Sequence, residues 1–167
     1  MTHPPTHPLT HLDAGGNARM VDVTEKSPTV RAATAAGSVR CAAEVVALLR
    51  DGAVPKGDVL AVARVAGIQA AKRTPELLPL AHVIGVHGCT VDLTITDTGV
   101  DVVATVRTAD RTGVEMEALT SVSVAALAVV DMVKGIDRTA HIADVRLLSK
   151  VGGRSGSWTR PETQEQR

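Results

Sequence analysis

Residues 120–136 read TSVSVAALAVVDMVKGI, and a run of this kind leaves a chain few options. Apolar side chains follow one another around the whole circumference, so a helix here has to be enclosed on most sides. The run falls short of the ~20 consecutive apolar residues of a membrane span, which makes it the core helix of a folded domain. Asp131 and Lys134 interrupt it near its end, three residues apart and on one helical face. A surface ion pair would contribute little. A pair surrounded by Ala125, Leu127, Ala128, Val129, Val130, Met132 and Val133 is expected to be buried. A buried pair costs desolvation and is seldom kept for stability, so the two residues are expected to form a functional site.

The core around this helix has to be made of small side chains. The 167 residues, a length suited to one domain, include no Phe, no Tyr and one Trp. Val, Ala, Leu and Ile bury less area each than aromatic rings, so a lone chain is a modest folding unit and oligomerisation is expected. Formal net charge is zero, which excludes a nucleic-acid polycation. The near absence of rings also argues against a base-stacking platform. A bound nucleotide would be held by charge and backbone. Cys41 and Cys89 lack CxxC spacing and read as reduced core thiols. His3, His7 and His11 recur every four residues. Pro4, Pro5 and Pro8 prevent the helix that would align them as metal ligands, so residues 1–12 are expected to be a disordered tail. The N-terminus carries no apolar signal region, and a soluble, cytoplasmic protein is expected.

The remaining elements follow from periodicity and punctuation. Residues 18–23, ARMVDV, read as a short extended segment. In TVRAATAAG, Val30 and Ala32 alternate with Thr29 and Arg31 before the pattern breaks at Ala33 and Thr34. Ser38 can cap a helix through CAAEVVALLRD that Gly52 ends. Asp58 can cap VLAVARVAGIQAAKRT, which Pro75 stops. LLPLAH reads as a buried connection. VIGVHGCTVDLTIT and VDVVATVRTA, joined by Asp97-Thr98-Gly99, form a hairpin. After the turn DRTG, a helix is expected over residues 114–136, then a strand in HIADVRLLS and the glycine-rich KVGGRSG. The order strand, two helices, strand, strand, helix, strand predicts an α+β, ferredoxin-like split βαβ fold. Its antiparallel sheet would carry the helices on one face. Residues 13–158 make the domain, and the polar residues 159–167 read as a second disordered tail.

Thirteen arginines stand against five lysines, Lys26, Lys56, Lys72, Lys134 and Lys150. Lysine, unlike arginine, can be brought by burial to exchange a proton. Glu115 and Glu117 suit the positive end of the long helix, and KVGGRSG offers backbone amides beside Lys150 that could cradle phosphate. Glu117 and Asp131 are 14 residues apart, about 21 Å along an unbroken helix at ~1.5 Å per residue. If both serve one small-molecule site, that site is shared between subunits.

MVDVTEK at 20–26, AGIQAAKRTPELLPLAH at 66–82, RTGVEMEAL at 111–119, VDMVKG at 130–135 and LLSKVGGRSG at 147–156 occur in this order from about Thr10 to Trp158. Together they resemble the cyclic pyranopterin monophosphate synthase family, molybdenum cofactor biosynthesis protein C. The resemblance implies a lyase that rearranges 3′,8-cyclo-dihydro-GTP into cyclic pyranopterin monophosphate and releases pyrophosphate. It implies a ferredoxin-like fold, a homohexamer built as a trimer of dimers, and active sites between subunits. It assigns catalysis to Asp131, Lys134, Lys56 and Lys150. Substrate binding is implied for Leu80, Ala81, His82, Met116, Glu117 and Glu115, with Arg31, Lys72 and Arg73 as the basic surface for the triphosphate. No metal ligand or cofactor is implied, apart from a magnesium ion that could accompany the triphosphate. Ala81, Val83 and Val130 depart from the family pattern, which commonly has Cys, Pro and an aromatic residue there. A thiol at residue 81 is therefore not essential. The competing reading is a non-catalytic, anion-binding regulatory module on the same fold.

Overall fold

The computed structural model describes residues 12–13 and 15–161. The histidine-rich N-terminal segment up to His11 and residues 162–167 lie outside them. The element order is β1 (Thr29–Arg40), α1 (Ala43–Arg50), α2 (Val59–Lys72), α3 (Thr74–Leu77), β2 (Gly88–Thr96), β3 (Gly99–Asp110), α4 (Glu115–Val133), β4 (His141–Val151) and β5 (Trp158–Thr159). The sheet order is β2-β3-β1-β4-β5, with every neighbouring pair antiparallel. β3 thus lies between β1 and β2, and β1 between β3 and β4. Each βαβ unit is split by a strand of the other, as the sequence order predicts. β5 carries the sheet past the expected boundary at 158. Arg160 follows it, donating through Nε to the Leu147 carbonyl (2.6 Å).

α4 and α2 lie on one face of the sheet and on each other. Ala33, Ala35, Val39, Val100, Val102, Ala104, Val106 and Val91 meet Val122, Ala125, Ala126 and Val129 in a core without aromatic rings. Small residues let the layers approach closely. At Gly37 a Cβ would stand 2.8 Å from Val122 Cγ1. At Gly67 it would stand 3.0 Å from the Ser121 carbonyl oxygen. Among the described residues α4 alone has the length and mean hydropathy (1.7) of a membrane span. Its packing against β1, β3, β4 and α2 accounts for that hydropathy.

Three local expectations change. Ser38 does not cap α1: it lies inside β1, 3 % exposed, and its hydroxyl donates to the Ala143 carbonyl. The chain end of α1 is tied instead by Asp137, whose Oδ2 accepts from the Ala42 amide (2.8 Å). The connection around LLPLAH is not buried. Leu77, Leu78, Leu80 and Val83 are exposed, the last at 89 %. The sequence stretch is apolar, but no described element of this chain covers it. Pro75 ends α2 as expected but also begins α3, at a position where its missing N–H costs nothing.

Candidate functional site

The Asp131–Lys134 pair is exposed, which corrects the expectation of a buried pair. The two side chains are 55 % and 59 % accessible. The reason is rotational. Ala125, Val129, Met132 and Val133 point into the core, while Leu127, Asp131 and Lys134 share the outer face. Lys134 caps the C-terminus of α4 and its Nζ lies 2.6 Å from Asp131 Oδ1. Lys56 reaches the same turn from the α1–α2 loop. Its Nζ donates to the Asp131 carbonyl (2.7 Å), one of the unpaired carbonyls of a helix end, and lies 3.5 Å from Oδ2. That loop is set by Val54, buried at 6 %, by Gly57 at φ 101°, and by Asp58, which caps α2 through the Ala61 amide (2.9 Å) as expected. The hydrogen bond and charge of Lys134, then the charge of Lys56, hold the Asp131 carboxyl below the usual carboxylate range.

The N-terminal end of α4 has a different character. Glu115, Met116 and Glu117 form its first turn. Glu117 is 3 % exposed, and its Oε2 has no hydrogen-bond partner among the described residues. Burial pushes its pKa up. The Glu115 charge adds to the rise, and its own backbone hydrogen bond and the nearby His82 oppose it. His82 Nε2 lies 2.6 Å from the Val21 carbonyl oxygen. A carbonyl only accepts, so that nitrogen carries the proton and Nδ1 is left free in the neutral ring. Leu80 is 40 % exposed beside it in sequence, and the turn is closed by the Ala81 amide on the Leu78 carbonyl (3.0 Å).

Next to Glu115 opens a cleft of about 230 Å³ lined by Lys26, Arg31, Lys150, Arg154, Ser155 and the Gly152 backbone. Arg31 is fixed at its rim: Nε donates to the Asp110 carbonyl (2.9 Å) and Nη2 to the Arg111 carbonyl (3.2 Å). Lys150, at the end of β4, donates to the Ser155 hydroxyl across the turn. Gly152 and Gly153 make that turn with φ of 94° and 74°, where a Cβ would run into Val30 and Arg31. Four cations against one carboxylate suit a polyanion. Lys72 and Arg73 close α2 at this same end of the helix pair but do not line the cleft, so the expected basic surface is divided. Lys26 and Arg154 are the lining cations that sequence reasoning leaves out. Their signal is their place within MVDVTEK and KVGGRSG.

The expected site residues therefore fall into two groups. Asp131, Lys134 and Lys56 gather at one end of α4; Glu115, Met116, Glu117, His82, Arg31 and Lys150 stand at the other. The helix between them is unbroken, so about 21 Å separates Glu117 from Asp131. Among the described residues no three His, Cys, Asp or Glu side chains converge where they could hold a metal ion.

Residues 20–153 match the model of the MoaC family. The chain is 60 % identical to the cyclic pyranopterin monophosphate synthase of Streptomyces coelicolor, covering 93 % of this chain and 92 % of that protein. It is 59 % identical to the enzyme of the same name from Nocardioides sp., over 92 % and 96 % of the two chains. It is 57 % identical to cyclic pyranopterin monophosphate synthase 2 of Mycobacterium tuberculosis, over 91 % of each.

Proposed function

Because this chain belongs to the MoaC family, we propose that the two ends of α4 are the halves of one active site. The protein is a lyase of molybdenum cofactor biosynthesis. It converts 3′,8-cyclo-7,8-dihydro-GTP to cyclic pyranopterin monophosphate and pyrophosphate. The observation that carries the site assignment is the Asp131 carboxylate between two lysine amines, Lys134 and Lys56.

The roles follow from these surroundings. Asp131 is held ionised and enters the reaction as a carboxylate. The proton donor of this group is therefore a lysine, Lys134 or Lys56, with Asp131 orienting both and accepting a proton in return. Opening the guanine ring by water and reclosing it as a pterin needs such donors and acceptors around the heterocycle. The phosphate step is an attack by a sugar hydroxyl on the α-phosphorus, in which pyrophosphate leaves with the bonding pair. Lys150, Arg31, Lys26 and Arg154 stabilise the charge on that leaving group, together with the amides of the Gly152 turn. Lys72 and Arg73 draw the anion towards this end. His82 and Glu117 orient the base, Glu117 through its unpartnered oxygen, with Leu80, Ala81 and Met116 forming the wall around it. A magnesium ion, where one takes part, arrives on the triphosphate.

Since one chain keeps the halves ~21 Å apart, the working enzyme is an oligomer with sites between subunits, a hexamer built from dimers. It acts in the cytoplasm. Purified cyclised GTP intermediate, followed for pyrophosphate release and product mass, tests the assignment. Asp131→Ala is expected to lose turnover while keeping its circular dichroism. Near wild-type turnover in that variant contradicts the role given to Asp131. Binding of the intermediate by the unaltered protein without pyrophosphate release would favour the regulatory module instead.

A further inference from the structure

Two carboxyl groups are buried among the described residues, Glu117 and Asp137. Glu117 has a place in the proposed site; Asp137 has none. It is 8 % exposed in a turn where Lys134, Gly135, Arg138 and Thr139 all lie open. Both of its oxygens are occupied. Oδ1 accepts from the Thr139 amide (2.8 Å) and hydroxyl (2.6 Å), and Oδ2 accepts from the Ala42 amide (2.8 Å). A carboxylate so enclosed and so filled has no oxygen to offer a substrate. Its effect has to lie in what it holds.

What it holds is the end of α4. The helix stops at Val133, and Lys134 is its cap residue. Many helices stop at a glycine in the left-handed conformation, which fixes the direction of the chain beyond. Gly135 is no such stop. Its φ is not positive, and a Cβ there would meet nothing within 4 Å. A glycine of this kind loosens the backbone beside Lys134. The amides of Ile136 and Asp137 close the turn locally on the Val133 carbonyl (2.9 and 3.0 Å). Ile136 packs partly against the core, a contact without direction. The directional tie to a second element is the Asp137 carboxylate on the Ala42 amide, where α1 begins.

We infer that Asp137 is a positioning residue: by clamping the turn after α4 to the entry of α1, it holds Lys134 against Asp131 as proton transfer requires. The Lys134 amine lies 2.6 Å from Asp131 Oδ1 on a flexible stem that is 59 % accessible. With little packed around the stem, its backbone has to be fixed from elsewhere. The same clamp fastens α1, which leads into the loop that carries Lys56. Both amines around Asp131 are thus referred to one anchor. The inference rests on the reading that Lys134 serves the reaction, and it adds what keeps that lysine in place.

Asp137→Asn, Thr139→Ala and Thr139→Ser test it on the full-length chain, well below the melting temperature of each. In Asp137→Asn an amide N–H faces the Ala42 or Thr139 donors, and the clamp opens. A misplacement of about 1 Å can cost a hundredfold in rate, so kcat with the cyclised GTP intermediate is expected to fall about tenfold to a hundredfold. The cationic cleft stands at the other end of α4. Calorimetry with inorganic pyrophosphate is therefore expected to give wild-type affinity and stoichiometry per chain. Thr139→Ala removes one hydroxyl from Oδ1 and should lower kcat less, and Thr139→Ser should restore it. Wild-type kcat in Asp137→Asn overturns the proposal. So does a kcat that falls only in step with pyrophosphate bound per chain, which is the mark of misfolded protein. A Thr139→Ser protein as slow as Thr139→Ala overturns it as well. Lys134→Ala keeps the two questions apart: wild-type turnover there would remove the role of Lys134 itself, whereas an inactive Lys134→Ala beside a fully active Asp137→Asn would remove the clamp alone.

Discussion

Replacing Gly37 with alanine adds one methyl group where β1 passes beneath α4. The new Cβ would lie 2.8 Å from Val122 Cγ1 and 3.1 Å from Val145 Cγ2. Carbon atoms rest comfortably at ~3.5–4.0 Å, so both neighbours have to yield by several tenths of an ångström. Val122 is fully buried, and its branched side chain is stiff about χ1. Against this, alanine restricts the unfolded chain and by that route favours folding by about 0.4–1 kcal/mol. Overpacking of a closed core costs about 1–3 kcal/mol. The steric term outweighs the entropic one, and the net loss comes to about 1–2 kcal/mol. In a domain of this size that lowers Tm by about 2–8 °C. Val122→Ala on its own opens a cavity and costs about 2 kcal/mol. In the double variant the added methyl enters the vacated space, so the pair is less damaging than the two changes summed, by about 1 kcal/mol. Thermal and denaturant melts of the four proteins give this cycle. A Gly37→Ala protein as stable as wild type, or strict additivity, would refute the close approach of β1 and α4.

Three further outcomes follow from the site and its supports. Glu117→Gln tests the buried carboxyl: burial raises its folded pKa, so its contribution to stability is complete below about pH 4 and lost as pH rises through the folded value. The Gln variant should therefore melt with wild type near pH 4 and above it at pH 8, while turnover falls. Asp137 has the opposite sign. Hydrogen bonds from the Thr139 side chain, then from the Ala42 and Thr139 amides, lower its pKa, so its contribution is present above about pH 4 and lost as pH falls through the folded value. The Tm advantage of wild type over Asp137→Asn should shrink across that acid range. Lys56→Ala should reduce turnover about a hundredfold or more with little change in melting, because Lys56 is about half exposed; a large loss of stability would make Lys56 a structural residue instead.

The parts of the fold that announce themselves in sequence are those with a local physical cause. Asp58 before an apolar period marks the start of α2. Asp97-Thr98 at a two-residue loop and Gly99 at φ 147° mark the hairpin. β1 hides because it is central: Ala33, Ala35 and Gly37 face α4 while Thr34, Ala36 and Ser38 face away, so small residues on both sides erase the alternation. Ser38 misleads for the same reason, being a strand residue five positions before α1 and bonded across to β4. The residue types of the site are legible, but exposure is not. Leu80, Val83 and the Asp131–Lys134 pair sit in apolar sequence and lie open in the single chain, because apolar composition does not say whether the covering surface belongs to the same chain or to a second copy.

The sharing of one site by two chains can be measured by mixing Asp131→Ala and Glu117→Ala proteins, dissociating them together and letting them reassemble. Each variant alone should be inactive. In a mixed two-fold pair, one site carries both substitutions and the other carries neither. Random pairing then restores about a quarter of wild-type turnover of the cyclised GTP intermediate. Recovery near that level is the predicted result; reassembled mixtures as inactive as the separate variants would contradict a site built from both ends of α4.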